Sequence, residues 1–391
     1  MRILVAVCSP YILSHTTDYQ HVYNFLSLGQ QFPDCEMIKI TTPMATMGAN
    51  ISALVQKVAT RIPLLCIGES WSEFWLRWHL VTFLPEKLLC RCNVDLVLGY
   101  SVPWPFSGNH APCVVGTNLE AGTYYERANQ AHMRPGELRA KRWALRNASI
   151  IYTNHPASAD RLDSAIPEMA GRVRCISPYL PGLESLSVEE VEKKHKERSV
   201  IRLVFVGGEA RRKGLVNLMK AWEMLRPDIR SRCEFTVVSN FKDGPVGPLP
   251  PDVRPAGQLP HAKVLQVLRD SHVMVLPTLY DTFGTTLVEA MAAGCCVVSS
   301  DQEPQDWILD FGRAGALVNP LSPEEIASAI EKVARNPEIR LEMALRGRER
   351  FLEQFHHMAV GSKLRDAIFE AVALRKPSWS GERRVRNNSH I

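Results

Sequence analysis

The chain has 391 residues, 46% hydrophobic and 22% charged, a balance that suits two domains each large enough to bury its own core. A formal net charge of +5 fits anionic ligands or a membrane surface without singling out nucleic acid, and no apolar stretch reaches the length needed to cross a bilayer. Several of the ten cysteines (Cys8, Cys66, Cys113, Cys295 and Cys296) lie in apolar runs and read as reduced core residues of a cytoplasmic protein, while Cys90 and Cys92 lack the second pair of a zinc site.

Residues 1–11 (MRILVAVCSPY) carry one arginine and a short apolar run without the small-residue cleavage site of a secretory signal, and read as a first buried strand. Residues 9–18 form a loop in which His15, Thr16 and Thr17 either line a cleft or face solvent, and 21–31 read as a helix. The pattern from 47 to 89 is mostly helical, and within 70–84 Trp71, Trp75 and Trp78 share one face. Core packing is the default reading of that face; the alternative is an interfacial helix resting on a membrane. Residues 93–100 (NVDLVLGY) and 112–116 (PCVVG) are the next strands, and 138–146 read as a helix with a solvated basic face. Residues 149–153 (SIIYT) form another strand, after which Pro178, Pro181, Gly182 and the charged run 188–198 have the composition of a linker.

The second half opens with an apolar strand, 201–206 (IRLVFV), followed at once by GGEARRKGL, 207–215. Glycines let a backbone approach a ligand closely, and Arg212 with Lys213 sets two cations at the entrance to a helix, so Gly207, Gly208, Arg212 and Lys213 form a candidate diphosphate site. A guanidinium offers a bidentate fork and an ammonium a compact charge. Residues 235–238 read as a strand, 244–255 as a Pro-rich loop and 261–271 as a helix.

Residues 272–300 (HVMVLPTLYDTFGTTLVEAMAAGCCVVSS) read strand, loop, helix, strand, one βαβ unit of a parallel sheet, with Gly294 at the helix C-terminus. Glu289 is the only charge between Thr285 and Ala293. A carboxylate on so apolar a helix is costly unless something donates hydrogen bonds to it, and adjacent ribose hydroxyls would do so. Asp281 lies in the loop entering that helix, so both acids can face the crevice beyond the strand's carboxyl end. The amides of Gly284, Thr285 and Thr286 would suit a phosphate or a sugar hydroxyl. The competing reading has Glu289 capping a loop or pairing with an arginine and Asp281 merely starting the helix. Beyond this unit, 312–318 form a strand, 323–335 an amphipathic helix with Ile326, Ala329 and Ile330 on one side, and 339–355 and 358–374 two closing helices.

Asp281, seven intervening residues and Glu289, followed by AMAAG, resemble the paired-carboxylate motif of glycosyltransferase family 4 (glycosyl transferases group 1), and GGEARRKG resembles that family's Gly-rich loop followed by Arg, Lys and Gly. The likeness is strong from about 201 to 351 and rests on architecture before that. It implies an α/β GT-B fold: two Rossmann-like, doubly wound parallel-sheet domains facing a central cleft. Residues 1–182 would bind the acceptor, 183–199 link, 200–355 bind the donor, 356–375 cross back to the first domain and 376–391 form a disordered basic tail.

The resemblance further implies a retaining enzyme that moves a sugar from a UDP- or GDP-sugar to a hydroxyl of a glycan, lipid-linked or small-molecule acceptor. Glu289 would hold the ribose, Arg212 and Lys213 would neutralise the diphosphate, and Asp281 with the amides of Phe283, Gly284, Thr285 and Thr286 would fix the donor sugar. No cofactor and no metal are expected, because no acidic cluster has metal-ligand spacing.

The chain departs from the family pattern in places. Asp281 stands where Glu is usual, Gly208 where many relatives have an arginine that Arg211 would replace, and the first loop has no glycine. After 112–116 there is no histidine; Asn118 and Glu120 are the candidates there, with Tyr124 and Glu126 as further acceptor contacts. Other classes are a GT-B epimerase, a phosphorylase, for which no Schiff-base lysine is evident, or a non-catalytic nucleotide-sugar-binding subunit. The expected location is cytoplasmic, with peripheral contact at the inner face of the plasma membrane as the alternative and no nucleic-acid partner.

Overall fold

The computed structural model describes residues 2–7, 36–39, 96–100, 112–116, 145, 148–196, 200–241 and 246–374. The readings on His15 to Thr17, the Trp71 face, Asn118, Glu120, Tyr124, Glu126, the basic helix at 138–144 and the tail lie outside them. Two compact units result, Met1–Ile176 with Gly361–Ile391, and Ser177–Val360.

Among the described residues, the first unit has six parallel strands: β1 (Arg2–Val7), β2 (Glu36–Lys39), β3 (Leu96–Tyr100), β4 (Cys113–Gly116), β5 (Ile150–Thr153) and β6 (Val173–Cys175), in the order β2-β1-β3-β4-β5-β6. Every residue of β5 is buried, as a parallel strand covered on both faces requires. Helix α1 (Pro156–Ala165) follows β5. Arg174 on β6 forms a bidentate ion pair with Glu370 of the last helix, its Nε 3.1 Å from Glu370 Oε2.

The second unit opens with α2 (Val188–Lys196), in the stretch 183–199 read above as a linker. Its many charges mislead: Val191 and His195, four apart, are buried, and Lys194 donates to the carbonyls of Ala293 (2.8 Å) and Leu268 (3.2 Å). Then come β7 (Ile201–Val206), α3 (Leu215–Met224), α4 (Pro227–Arg230), β8 (Cys233–Val238) and β9 (Val253–Gly257). The Pro-rich stretch 244–255 therefore contains the start of a strand, and Pro255 is tolerated there because β9 is an edge strand.

Helix α5 (His261–Asp270), β10 (Val273–Leu276), α6 (Thr285–Ala292), β11 (Cys296–Ser300), α7 (Gln305–Ile308), β12 (Ala316–Val318), α8 (Pro323–Arg335) and α9 (Pro337–Gln354) complete the unit. Ser322 caps α8 by accepting from the Glu325 amide at 3.2 Å, a bond worth about 1 kcal/mol. Its apolar side, Ile326, Ile330 and Val333, is fully buried and contributes roughly 1.5–3 kcal/mol per side chain. The last helix, α10 (His357–Ala373), begins in this unit, and its residues from Gly361 on belong to the first.

The strand order of the second sheet is β12-β11-β10-β7-β8-β9, all parallel. Its direction of growth reverses between β7 and β10, so the loops leaving these two neighbours flank a crevice at the sheet's carboxyl edge. Both motifs singled out in the sequence lie on those two loops.

Candidate active site

The first loop, 207–214, owes its shape to two glycines. Gly214 has φ +82, and a Cβ there would fall 1.8 Å from the Pro277 carbonyl oxygen, so only glycine lets this loop press against the loop after β10. A Cβ on Gly207 would lie 2.9 Å from Lys213 Cγ; the bare backbone lets the lysine stem fold over it. Gly208 has room for a side chain, with Asn240 Nδ2 3.6 Å from the Cβ position. The two loops are joined by the Leu279 amide, which donates to the Arg212 carbonyl at 2.9 Å.

That closure brings three charges together. Lys213 Nζ donates to Asp281 Oδ2, and Arg212 Nη1 lies 3.6 Å from Asp281 Oδ1 while donating to the Tyr280 carbonyl at 2.9 Å. Arg212 also grips Glu209 bidentately, at 2.7 and 3.0 Å, and lies over the Tyr280 ring, 5.4 Å from its centroid. Burial would raise the Asp281 carboxyl. The charges of Lys213 and Arg212, the Lys213 hydrogen bond and the Thr282 amide (2.8 Å) outweigh burial and hold it below the usual carboxylate range. Glu209 is likewise lowered, chiefly by its bond to Arg212.

The second loop ends at Gly284 (φ +112), which precedes α6. The amides of Thr285 and Thr286 open the helix, where no intrahelical carbonyl is available to them, and both residues are partly exposed. The Phe283 side chain is buried edge-on against Phe355 at 5.9 Å, so this residue has only its backbone to offer a ligand. From Leu287 to Ala292 every residue of α6 is buried, Glu289 included at 8% exposure. Gly294 closes the helix with a Schellman pair, its amide on the Met291 carbonyl (3.1 Å) and that of Cys295 on Ala290 (2.9 Å).

Glu289 Oε1 is 2.7 Å from His261 Nε2, at the start of α5. The hydrogen bond to Glu289 raises the His261 pKa; partial burial works against it and the Glu289 charge adds to it. The carboxylate thus has a half-exposed, titratable partner. The helix 261–271 was foreseen, but no local signal connects a histidine to an acid 28 positions later. Glu209 was readable from its i,i+3 spacing to Arg212, and Tyr280 from its place beside Asp281.

Of the residues expected in the donor site, Arg212, Lys213 and Asp281 are in mutual contact across the two loops. Gly207, Gly208, Gly284, Thr285 and Thr286 lie on those loops or at the start of α6. Glu289 is on the first two turns of α6, paired with His261. Arg211 is exposed.

The second unit is a doubly wound sheet with a cationic and an acidic loop paired at its switch point. Residues 200–336, about a third of the chain, match the family described as Glycosyl transferases group 1, and the chain has the GT-B fold. It is 28% identical over 244 residues to D-inositol 3-phosphate glycosyltransferase of Paenarthrobacter aurescens, covering 58% of this chain and 57% of that one. The identity to alpha-maltose-1-phosphate synthase of Mycolicibacterium smegmatis is also 28%, over 39% of this chain and 43% of that protein. The chain thus spans about half the length of the curated relatives it matches.

Among solved structures, sucrose-phosphate synthase of Thermosynechococcus elongatus superposes with a TM-score of 0.67 at 17% identity, over 95% of this chain and 99% of that one. Anabaena HepE, in complex with UDP-glucose, superposes with a TM-score of 0.63 at 14% identity, over 94% and 99%. At such identity the likeness is one of fold. Among the described residues no helix is long and apolar enough to cross a membrane.

Proposed function

We propose that the protein is a retaining glycosyltransferase that moves a sugar from a UDP- or GDP-sugar to the hydroxyl of a glycan, lipid-linked or small-molecule acceptor. The observation that carries this reading is the meeting of Arg212, Lys213 and Asp281 at the switch point, on the loops after β7 and β10. Two cations held there by carboxylates can exchange those carboxylates for a diphosphate. Glu209, 54% exposed at its side chain, is the simpler one to displace.

As the glycosidic bond to the diphosphate breaks, the leaving oxygen gains negative charge, and preplaced cations stabilise that charge without reorganising. Lys213 and Arg212 therefore supply what a divalent metal supplies elsewhere, and transfer proceeds without one. Asp281 and the amides at 283–286 fix the sugar, and Glu289 accepts from the ribose hydroxyls in place of His261. Attack from the leaving-group face, with a phosphate oxygen taking the acceptor proton, gives retention. HepE was solved with UDP-glucose, which makes a UDP-sugar the first donor to try.

The test is a thermal-shift panel of UDP, GDP and ADP with their sugars, since a ligand of the folded state raises the melting point. One diphosphate and its sugar are expected to protect the protein, and Glu289→Ala to remove the protection. With that donor and a permissive acceptor, product of unchanged anomeric configuration should form in the presence of a chelator. A panel without protection contradicts the reading.

A further inference from the structure

Glu184 lies near the start of the second unit, His356 lies in the turn between α9 and α10, and His357 is the first residue of α10, where the chain leaves that unit. One ligand atom from each lies within 4.8 Å of the others. His356 Nε2 is 3.4 Å from Glu184 Oε2, and His357 Nδ1 is 3.7 Å from Glu184 Oε1. A tetrahedral cation with bonds of about 2.0–2.1 Å separates its ligand atoms by roughly 3.3 Å, and the two histidine–Glu184 separations lie within a few tenths of an ångström of that spacing. We propose that Glu184, His356 and His357 form a binding site for a divalent transition cation of the zinc class, separate from the nucleotide loops.

The geometry favours a cation over a simple ion pair. The 3.7 Å contact is too long for a hydrogen bond. Two imidazole nitrogens and one carboxylate suit zinc, iron or nickel better than magnesium or calcium. The His356 ring is set by an edge contact with Phe351, 5.7 Å between centroids, and lies 4.2 Å from that of His357. The Met358 amide reaches His356 Nδ1 only at 3.4 Å, a marginal bond that gives way when Nε2 takes the cation and the ring proton moves to Nδ1. Glu184 is 62% exposed at its side chain, leaving a coordination position for water. Phe355, next in the chain to His356, is the residue against which Phe283 packs; a cation on this turn therefore stiffens the back of the acidic loop.

The test is a titration with Co2+, followed by its visible ligand-field bands and by displacement with Zn2+, on the full chain and on Glu184→Gln and His357→Asn. Wild type should bind one equivalent saturably, and Zn2+ should raise its melting point. Each variant should bind at least about 10–100-fold more weakly, the loss that even an outer-shell change produces. Because Glu184 is exposed, Glu184→Gln keeps the fold and decides the matter even if the histidine variant does not. Absence of a saturable spectrum, or variants that bind as wild type does, would overturn the proposal.

Discussion

At Asp281 one carboxylate holds two cations that, on the proposed function, a nucleotide diphosphate claims, and at Glu289 one histidine occupies the place proposed for a ribose. The residues therefore balance one another without ligand, and binding becomes an exchange of partners. Lys213 and Asp281 are both nearly buried, so removing Asp281 leaves the Lys213 ammonium without its carboxylate, at a cost of about 3–5 kcal/mol, whereas removing Lys213 leaves Asp281 with Arg212. Lys213→Met should lower kcat by roughly 100- to 1000-fold, as the loss of a preplaced electrostatic contact does, measured as initial rates on material shown by melting curves to be folded. An unchanged kcat would remove Lys213 from the chemistry. The acids and cations themselves were legible in the sequence because each is a charge out of place in an apolar or Gly-rich context. Their mutual pairing was not, because 68 residues separate Lys213 from Asp281 and only the β7–β10 neighbourhood joins them.

The helices show where pattern suffices. Helix α8 matches its expected span because Ser322 caps it and Ile326 and Ile330 repeat at four, and α6 ends at Gly294 as its sequence says. Helix α2 escaped because seven of its nine residues, VEEVEKKHK, are charged or histidine, while its buried side pairs Val191 with the polar His195. His195 accepts at Nδ1 from Arg340 Nε at 3.3 Å, which places its proton on Nε2, facing the Gly294 carbonyl at 2.9 Å. Burial, above all, depresses this histidine to about 3.

A folded-state pKa below the ordinary 6.5 means that the neutral ring's contribution is present above about pH 6.5 and is lost as the pH falls toward 3. Urea midpoints should therefore drop between pH 7 and pH 4.5. In His195→Gln they should start lower and fall less. Equal drops in both proteins would contradict a neutral buried His195.

At the scale of the molecule, the strands among the described residues run β2-β1-β3-β4-β5-β6 and β12-β11-β10-β7-β8-β9, and both orders put a switch point at a sheet's carboxyl edge. In the second unit, both motifs singled out in the sequence lie on the two loops at that edge. In the first, the expected acceptor residues Asn118 and Glu120 carry no recognisable motif, because acceptor loops follow the acceptor and not the fold.

The central claim is that the loops after β7 and β10 hold two ends of one nucleotide. Calorimetric binding of the protecting nucleoside diphosphate, its nucleoside and its 2′,3′-dideoxy diphosphate tests it most directly. Lys213→Met should weaken both diphosphates and leave the nucleoside unchanged, whereas Glu289→Ala should weaken only ligands that carry ribose hydroxyls. If both substitutions act alike on all three ligands, or on none, the two loops do not share a nucleotide.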